Sequence, residues 1–186
     1  MRYAILTVGH IHCGKTTFAK MLTKAVPELI YLERDPIPAM LNDNFPALMK
    51  LDVKNRAEGR ETLKDKIYNV MLNEAIESEE SNVLIATCHM HKKSRDIVIK
   101  KFKDHAIDVK TVMVHFDIDQ DVLEERVRTS QRPTNILTVS KTFMENLEKQ
   151  RKDFETPSPD EADYFFTVKN NKNNEEVIEK IKLILQ

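Results

Sequence analysis

Short apolar runs alternate with amphipathic stretches along the whole chain. Tyr3–Val8, Leu29–Leu32, Val83–Ala86, Val109–Phe116 and Tyr164–Val168 are almost continuously apolar or β-branched. That is the signature of strands buried on both faces of a parallel sheet. The intervening segments repeat at helical spacing. Phe18, Ala19 and Leu22 mark a helix over about residues 15–24, and Leu63, Ile67, Val70, Met71 and Ala75 mark one over about 60–77. Ile97, Val98 and Phe102 do the same for 92–104, and Asp119 stands where it can cap a helix carrying Val122, Leu123 and Val127. Val139, Phe143, Met144 and Leu147 predict a helix over about 139–154. A last helix, with Val177, Ile181, Ile184 and Leu185, follows the asparagine-rich cluster at 170–174. Residues 36–58 contain Pro36, Pro38 and Pro46 and no clean period, which predicts short helical pieces. Five strands alternating with helices predict one α/β domain over residues 1–186, its parallel sheet covered on both faces and its crossovers right-handed.

Composition narrows the class. A chain of 186 residues buries about 70% of its unfolded surface on folding and needs neither disulfide nor structural metal. With 29 Lys+Arg against 30 Asp+Glu and a net charge of −1, its surface as a whole is not a nucleic-acid footprint. A local patch stays open: Lys92-Lys93-Ser94-Arg95 and Lys100-Lys101 read either as such a patch or as a solvated helix face. No apolar run is long enough to span a membrane, and the opening strand is too short for a signal-peptide core. Cys13 and Cys88 form no disulfide framework, so a cytoplasmic home with no membrane partner is expected.

Glycine usage points to one loop. The chain has 3 glycines, where average usage would give about thirteen. Two of them, Gly9 and Gly14, bracket Gly9-His10-Ile11-His12-Cys13-Gly14-Lys15-Thr16, a full G-x-x-x-x-G-K-[ST] match between a buried strand and a helix. Such a loop turns successive backbone amides toward a phosphate, and the helix beginning at Lys15 adds its positive end. Gly9, His10, His12, Cys13, Gly14, Lys15, Thr16 and Thr17 are therefore the expected nucleotide-binding residues. Lys15 meets the β- and γ-phosphates, the Thr16 hydroxyl ligates Mg²⁺, and Thr17 reaches the α-phosphate.

Two further segments fit phosphoryl transfer. Asp35 closes the second strand, on the sheet edge where doubly wound folds bind ligands. There it can orient an acceptor hydroxyl or take its proton; it can equally cap the turn before Pro36. The segment 124–133, with Arg126, Arg128 and Arg132, places three guanidiniums near the end of a helix. They form either a lid, Arg126 beside the adenine or phosphates and Arg132 on the γ-phosphate, or a salt-bridged surface helix with Glu124 and Glu125.

The order of these motifs carries a resemblance. The phosphate loop, Arg34-Asp35, Phe116-Asp117-Ile118 leading into Leu123-Glu124-Glu125-Arg126, the arginine segment, Phe154-Glu155-x-Pro157 and Glu161-Ala162-Asp163-Tyr164 follow one another over about residues 3–168. The chain resembles the P-loop kinases that include the 5′-kinase domain of phage polynucleotide kinase and, more distantly, small kinases of the zeta-toxin and gluconate-kinase kind. The resemblance implies a P-loop NTPase fold, a doubly wound five-stranded parallel sheet in the order 2-3-1-4-5 with an arginine lid. It implies ATP and Mg²⁺ as cofactors, Asp35 as catalytic base, and Lys15, Arg128 and Arg132 as charge stabilisers. It departs in the acceptor half, where the chain carries Pro38 in place of an arginine and Thr87 in place of an aspartate.

The expected activity is transfer of the γ-phosphoryl group of ATP to an acceptor hydroxyl, on a nucleic-acid or nucleotide 5′ end or on a small molecule. The alternative is a nucleotide-binding switch or regulatory ATPase that phosphorylates no acceptor, a reading that Thr87 favours. His10, His12 and Cys13 in the loop and Cys88, His89 and His91 after the third strand could meet to bind a transition metal or to form a Cys13–Cys88 disulfide. They could as well be plain loop residues, with His89 and His91 near the acceptor pocket.

Overall fold

Strand β1 (Arg2–Val8) is buried along its whole length because it lies at the centre of the sheet. Its side chains alternate between two apolar layers, Tyr3 and Ile5 entering one and Ala4, Leu6 and Val8 the other. A computed structural model describes residues 1–78, 81–105, 108–134, 137 and 140–186. Among these, β2 (Ile30–Glu33), β3 (Val83–Ala86), β4 (Val109–Asp117) and β5 (Tyr164–Lys169) complete a parallel sheet in the order β2-β3-β1-β4-β5. Because every strand runs the same way, Val8, Glu33, Ala86 and Asp117 all end on one edge. That edge carries the site.

Helices cover both faces. Helices α1 (Lys15–Ala25), α6 (Gln120–Arg128), α7 (Phe143–Asp153) and α8 (Asn174–Leu185) bury Phe18, Leu22, Leu123, Leu147 and Ile181 against one face. Helices α4 (Leu63–Glu77) and α5 (Lys92–His105) bury Leu72, Ile76, Val98 and Phe102 against the other. Full burial of each such side chain contributes about 1.5–3 kcal/mol. The proline-rich stretch forms two helices, α2 (Pro36–Asn44) and α3 (Pro46–Ala57), each with its proline at the first turn, where the missing N–H costs nothing. Ile37, Leu41 and Met49 of this pair pack on Leu63, Ile67, Tyr68 and Met71 of α4. The pair thereby forms a wall beside the end of β2.

The structure corrects some of the expected faces. Val70 and Ile97 point outward, 60% and 50% exposed, while Leu72, Ile76 and Ile99 take the inward places. Asp119 holds the position before α6 but caps no amide of it; its carboxylate accepts from the Asn170 side chain at 2.7 Å. Helix α7 starts at Phe143, and Val139 lies outside the described residues. Arg95 is fully buried, pairing with Glu161 at 2.6 and 3.0 Å and donating to the carbonyls of His89, Met90 and Glu155. It clamps the 155–161 segment to the end of β3. Lys92 pairs with Asp96 and Lys100 with Asp104, so two lysines of the basic stretch are balanced within α5.

Candidate nucleotide-binding and transfer site

The turn from β1 into α1 is shaped by its two glycines. Gly14 has φ +103°, and a Cβ there would lie 2.6 Å from the Asn171 side-chain nitrogen. At Gly9 a Cβ would meet Cys13 Sγ at 2.8 Å. Gly14 also stands at the N-cap of α1, where no side chain caps the helix and no acidic residue occupies its first turn. The first amides of α1 thus have no partner from within the helix and face a cleft of about 530 Å³ lined by Gly14, Lys15, Thr16 and Thr17. An uncapped helix start with a lysine beside it is electrostatically suited to an anion.

Neighbouring elements hold the loop in place. Gly9 N–H donates to the Cys88 carbonyl at 3.1 Å, and Ile11 N–H donates to Gln150 Oε1 of α7 at 2.7 Å. Lys15 is buried, and its ammonium donates to the carbonyls of Gly9 and His10 at 3.1 and 2.6 Å and lies 3.3 Å from Cys13 Sγ. Burial works against its charge, but the sulfurs of Cys13 and Cys88 and the carboxylate of Asp35 more than offset that, so its pKa is raised. Lys15 is a permanent cation at the cleft floor.

Across the cleft stands the end of β2. The Thr16 hydroxyl donates to Glu33 Oε1 at 2.6 Å, and the Tyr31 hydroxyl donates to Glu33 Oε2 at 2.7 Å. Glu33 was not among the residues expected from the sequence; its signal was the i, i+2 spacing to Asp35 at a strand end, which puts two acids at the same rim. Thr16 and Glu33 together offer hard oxygen donors of the kind Mg²⁺ takes. Asp35 lines the same cleft, and Arg132 reaches to within 3.5 Å of its Oδ2.

Of the arginine segment, Arg126 and Arg132 line the cleft and Arg128 does not. Arg126 donates to the His12 carbonyl at 3.4 Å, whereas Arg128 turns outward to Glu124 at 3.3 Å. Helical spacing separates the two by about 200°. His12 ties this segment to the loop: its Nε2 lies 2.7 Å from the Ser130 hydroxyl, which accepts from Arg132 N–H at 3.2 Å. Burial, then the charges of Arg132 and Lys15, lower the His12 pKa to about 4, so the ring is neutral at pH 7.

Other expected residues contribute differently. The His10 ring turns away to stack on Phe154, 4.3 Å between centroids, and only its carbonyl faces Lys15. Cys13 is buried beneath the loop. Cys88 lines the cleft, and both cysteines are free thiols. His89 is buried, its Nδ1 within 2.9 Å of the Thr7 carbonyl, and His91 lies on the surface 3.8 Å from Glu155. Among the described residues no three His, Cys, Asp or Glu side chains converge to hold a metal. Among them, too, no helix is long and apolar enough to cross a membrane.

Known proteins share the fold. A family model for an AAA domain matches residues 5–157. No curated protein matches the sequence significantly. Among solved structures, a candidate kinase of Chloroflexus aurantiacus superposes with a TM-score of 0.71 at 14% identity, over 100% of this chain and 99% of that one. Kti12 of Chaetomium thermophilum, solved with ADP-AlF3, gives 0.64 at 15% identity over 96% and 97%. A fungal RNA kinase gives 0.62 at 16% identity, over 98% of this chain and 44% of its own. At these identities the structures show a shared P-loop kinase-like fold and do not single out the polynucleotide kinases. The family match covers most of the sequence, and the chain belongs to the AAA domain family.

Proposed function

We propose that this chain is an ATP-dependent kinase that transfers the γ-phosphoryl group to an acceptor hydroxyl. The observation that carries the reading is the placement of Asp35 on the cleft rim beside Glu33 and across from Lys15, with Arg132 next to it. The loop amides and Lys15 would hold the β- and γ-phosphates, with Thr17 at the α-phosphate and Arg126 near the base. Thr16 and Glu33 would hold Mg²⁺, which when bound neutralises phosphate charge. Asp35 orients the acceptor hydroxyl and takes its proton as the acceptor oxygen bonds to the γ-phosphorus. The bond from that phosphorus to the β–γ bridging oxygen breaks, and ADP leaves. Arg132 turns from Asp35 to the transferring group, where positioning and charge stabilisation supply most of the acceleration. The acceptor is either a small molecule or a nucleotide or nucleic-acid 5′-hydroxyl.

Thr87, where an acid would otherwise close β3, supports a second reading, a nucleotide-dependent switch. Glu33 weakens it by placing an acid beside Thr16. Transfer from γ-labelled ATP to pooled oligonucleotides, nucleosides, sugars, hydroxy acids and amino alcohols separates the two. A kinase labels an acceptor and Asp35→Ala loses about 10²–10⁴-fold of that transfer while keeping nucleotide affinity. A switch labels none and is indifferent to the substitution.

A further inference from the structure

Three consecutive residues of the phosphate loop are held by one face of α7. Phe143, Leu147, Gln150 and Phe154 recur at helical spacing, so they form a single stripe that runs past the end of the helix. The Phe143 ring meets the His12 ring edge-on, 4.8 Å between centroids, and Phe154 stacks on His10 at 4.3 Å. Between them, Gln150 Oε1 accepts from Ile11 N–H at 2.7 Å. Leu147, on the same stripe, is buried in the apolar core.

Gln150 is 6% exposed, and a buried amide needs partners. Besides Ile11 N–H on its oxygen, its Nε2 donates toward Cys88 Sγ at 3.8 Å. The Cys88 carbonyl in turn accepts from Gly9 N–H at 3.1 Å. One side chain of α7 thus ties the middle of the loop to the turn after β3, which also holds the loop's first residue.

The backbone here needs such a hold. His12 has φ +57°, in the left-handed region, where a side chain carries a cost that glycine would not. Backbone of that shape persists when its surroundings over-determine it. Gln150 fixes the amide before His12, and Phe143 fixes the His12 ring. We propose that Gln150 is a positioning residue for the phosphate loop: by occupying the Ile11 amide, it keeps the turn in its nucleotide-ready shape before nucleotide arrives. It does not line the cleft and acts through Ile11, which does. A loop ordered in advance gives up less freedom on binding, so the hold is read as affinity for the phosphate chain. The inference rests on the loop binding a nucleotide, as in the kinase reading, but the hold itself can be measured with the cleft empty.

The test titrates the full chain with a magnesium complex of a non-hydrolysable ATP analogue and follows hydrogen exchange of the Ile11 amide in the nucleotide-free chain. Gln150→Met keeps the volume and removes the acceptor. It weakens the analogue about tenfold, the scale of one buried amide left unsatisfied, and speeds Ile11 exchange about tenfold or more. Gln150→Glu keeps an oxygen for Ile11 N–H and restores both to within about threefold of the unaltered chain. Leu147→Val, on the same stripe but in the core, lowers stability and moves neither readout by more than about twofold. In turnover, Gln150→Met raises KM for MgATP more than it lowers kcat. Analogue affinity that Gln150→Met leaves unmoved, or that Leu147→Val lowers as far, overturns the proposal. An unaltered chain that takes up no analogue overturns the kinase reading instead, while exchange at Ile11 still decides whether Gln150 holds the loop.

Discussion

The hydroxyl of Thr16 donates to Glu33 Oε1 over 2.6 Å, joining the first turn of α1 to the last residue of β2. If this pair holds the metal, Glu33→Gln keeps the hydrogen bond and removes the charge. The magnesium concentration that half-saturates activity then rises about 10–100-fold, the usual cost of disturbing a ligand's support. A magnesium titration at fixed ATP reads this directly. An unchanged midpoint assigns Glu33 to packing alone.

Arg132 lies 3.5 Å from Asp35 Oδ2 and in the proposed reaction meets the transferring phosphoryl group, whereas Arg128 pairs outward with Glu124. Arg132→Ala lowers transfer about 10³-fold, the scale of losing a transition-state arginine, and Arg128→Ala lowers it less than about twofold, as expected of an exposed pair. Single-turnover rates of the two variants make the comparison.

Gly14 and Gly59 give a paired test of backbone geometry. Both have positive φ, +103° and +71°, but a Cβ at Gly14 strikes Asn171 while one at Gly59 meets open space. Gly59→Ala costs about 1–2 kcal/mol from backbone strain alone. Gly14→Ala costs more, and by shifting the loop amides it also removes nucleotide binding. Urea unfolding and a nucleotide titration separate the two effects.

His89, like His12, contributes to an acid limit on stability. Burial holds its pKa down to about 4, although its hydrogen bond to the Thr7 carbonyl favours the charged form. Because the carbonyl can only accept, Nδ1 carries the proton. Between about pH 6.5 and 4 the unfolded chain binds a proton here that the folded one does not, so stability is complete above that window and falls through it by about 3 kcal/mol. His89→Asn, which tolerates the left-handed backbone at this position (φ 43°), flattens this limb of the pH–stability curve. An equally steep limb in the variant would exclude His89 as its source.

The Arg95–Glu161 pair is buried on both sides, with side-chain exposures of 0% and 3%. Arg95→Met leaves a buried carboxylate and costs about 3–5 kcal/mol. Chemical denaturation measures it.

The parallel sheet and the phosphate loop were readable in the sequence because each depends on local pattern. Strand β3 needs only the apolar run Val83–Ala86, and the loop needs only its glycines, lysine and threonine. The side chains that meet across the cleft were less readable, because tertiary packing decides them. Glu33 ends a four-residue strand and looks like an ordinary polar boundary until Thr16 comes to 2.6 Å from it. Arg95 sits in a lysine-rich stretch and reads as surface charge, yet Glu161, far along the chain, buries it. Val70 and Ile97 fit their helical periods but face outward, since α4 and α5 turn Leu72, Ile76 and Ile99 to the sheet. Periodicity locates a stripe to within about one residue's rotation, 100°, and cannot choose between adjacent apolar positions.

If the turn between β1 and α1 binds a nucleoside triphosphate through its amides and Lys15, calorimetric titration of the full chain with a magnesium complex of a non-hydrolysable ATP analogue gives a saturating one-to-one isotherm. Lys15→Met then weakens it by at least about tenfold, the loss of a buried charge-assisted contact. No heat of binding, or an isotherm that Lys15→Met leaves unmoved, would rule this binding mode out.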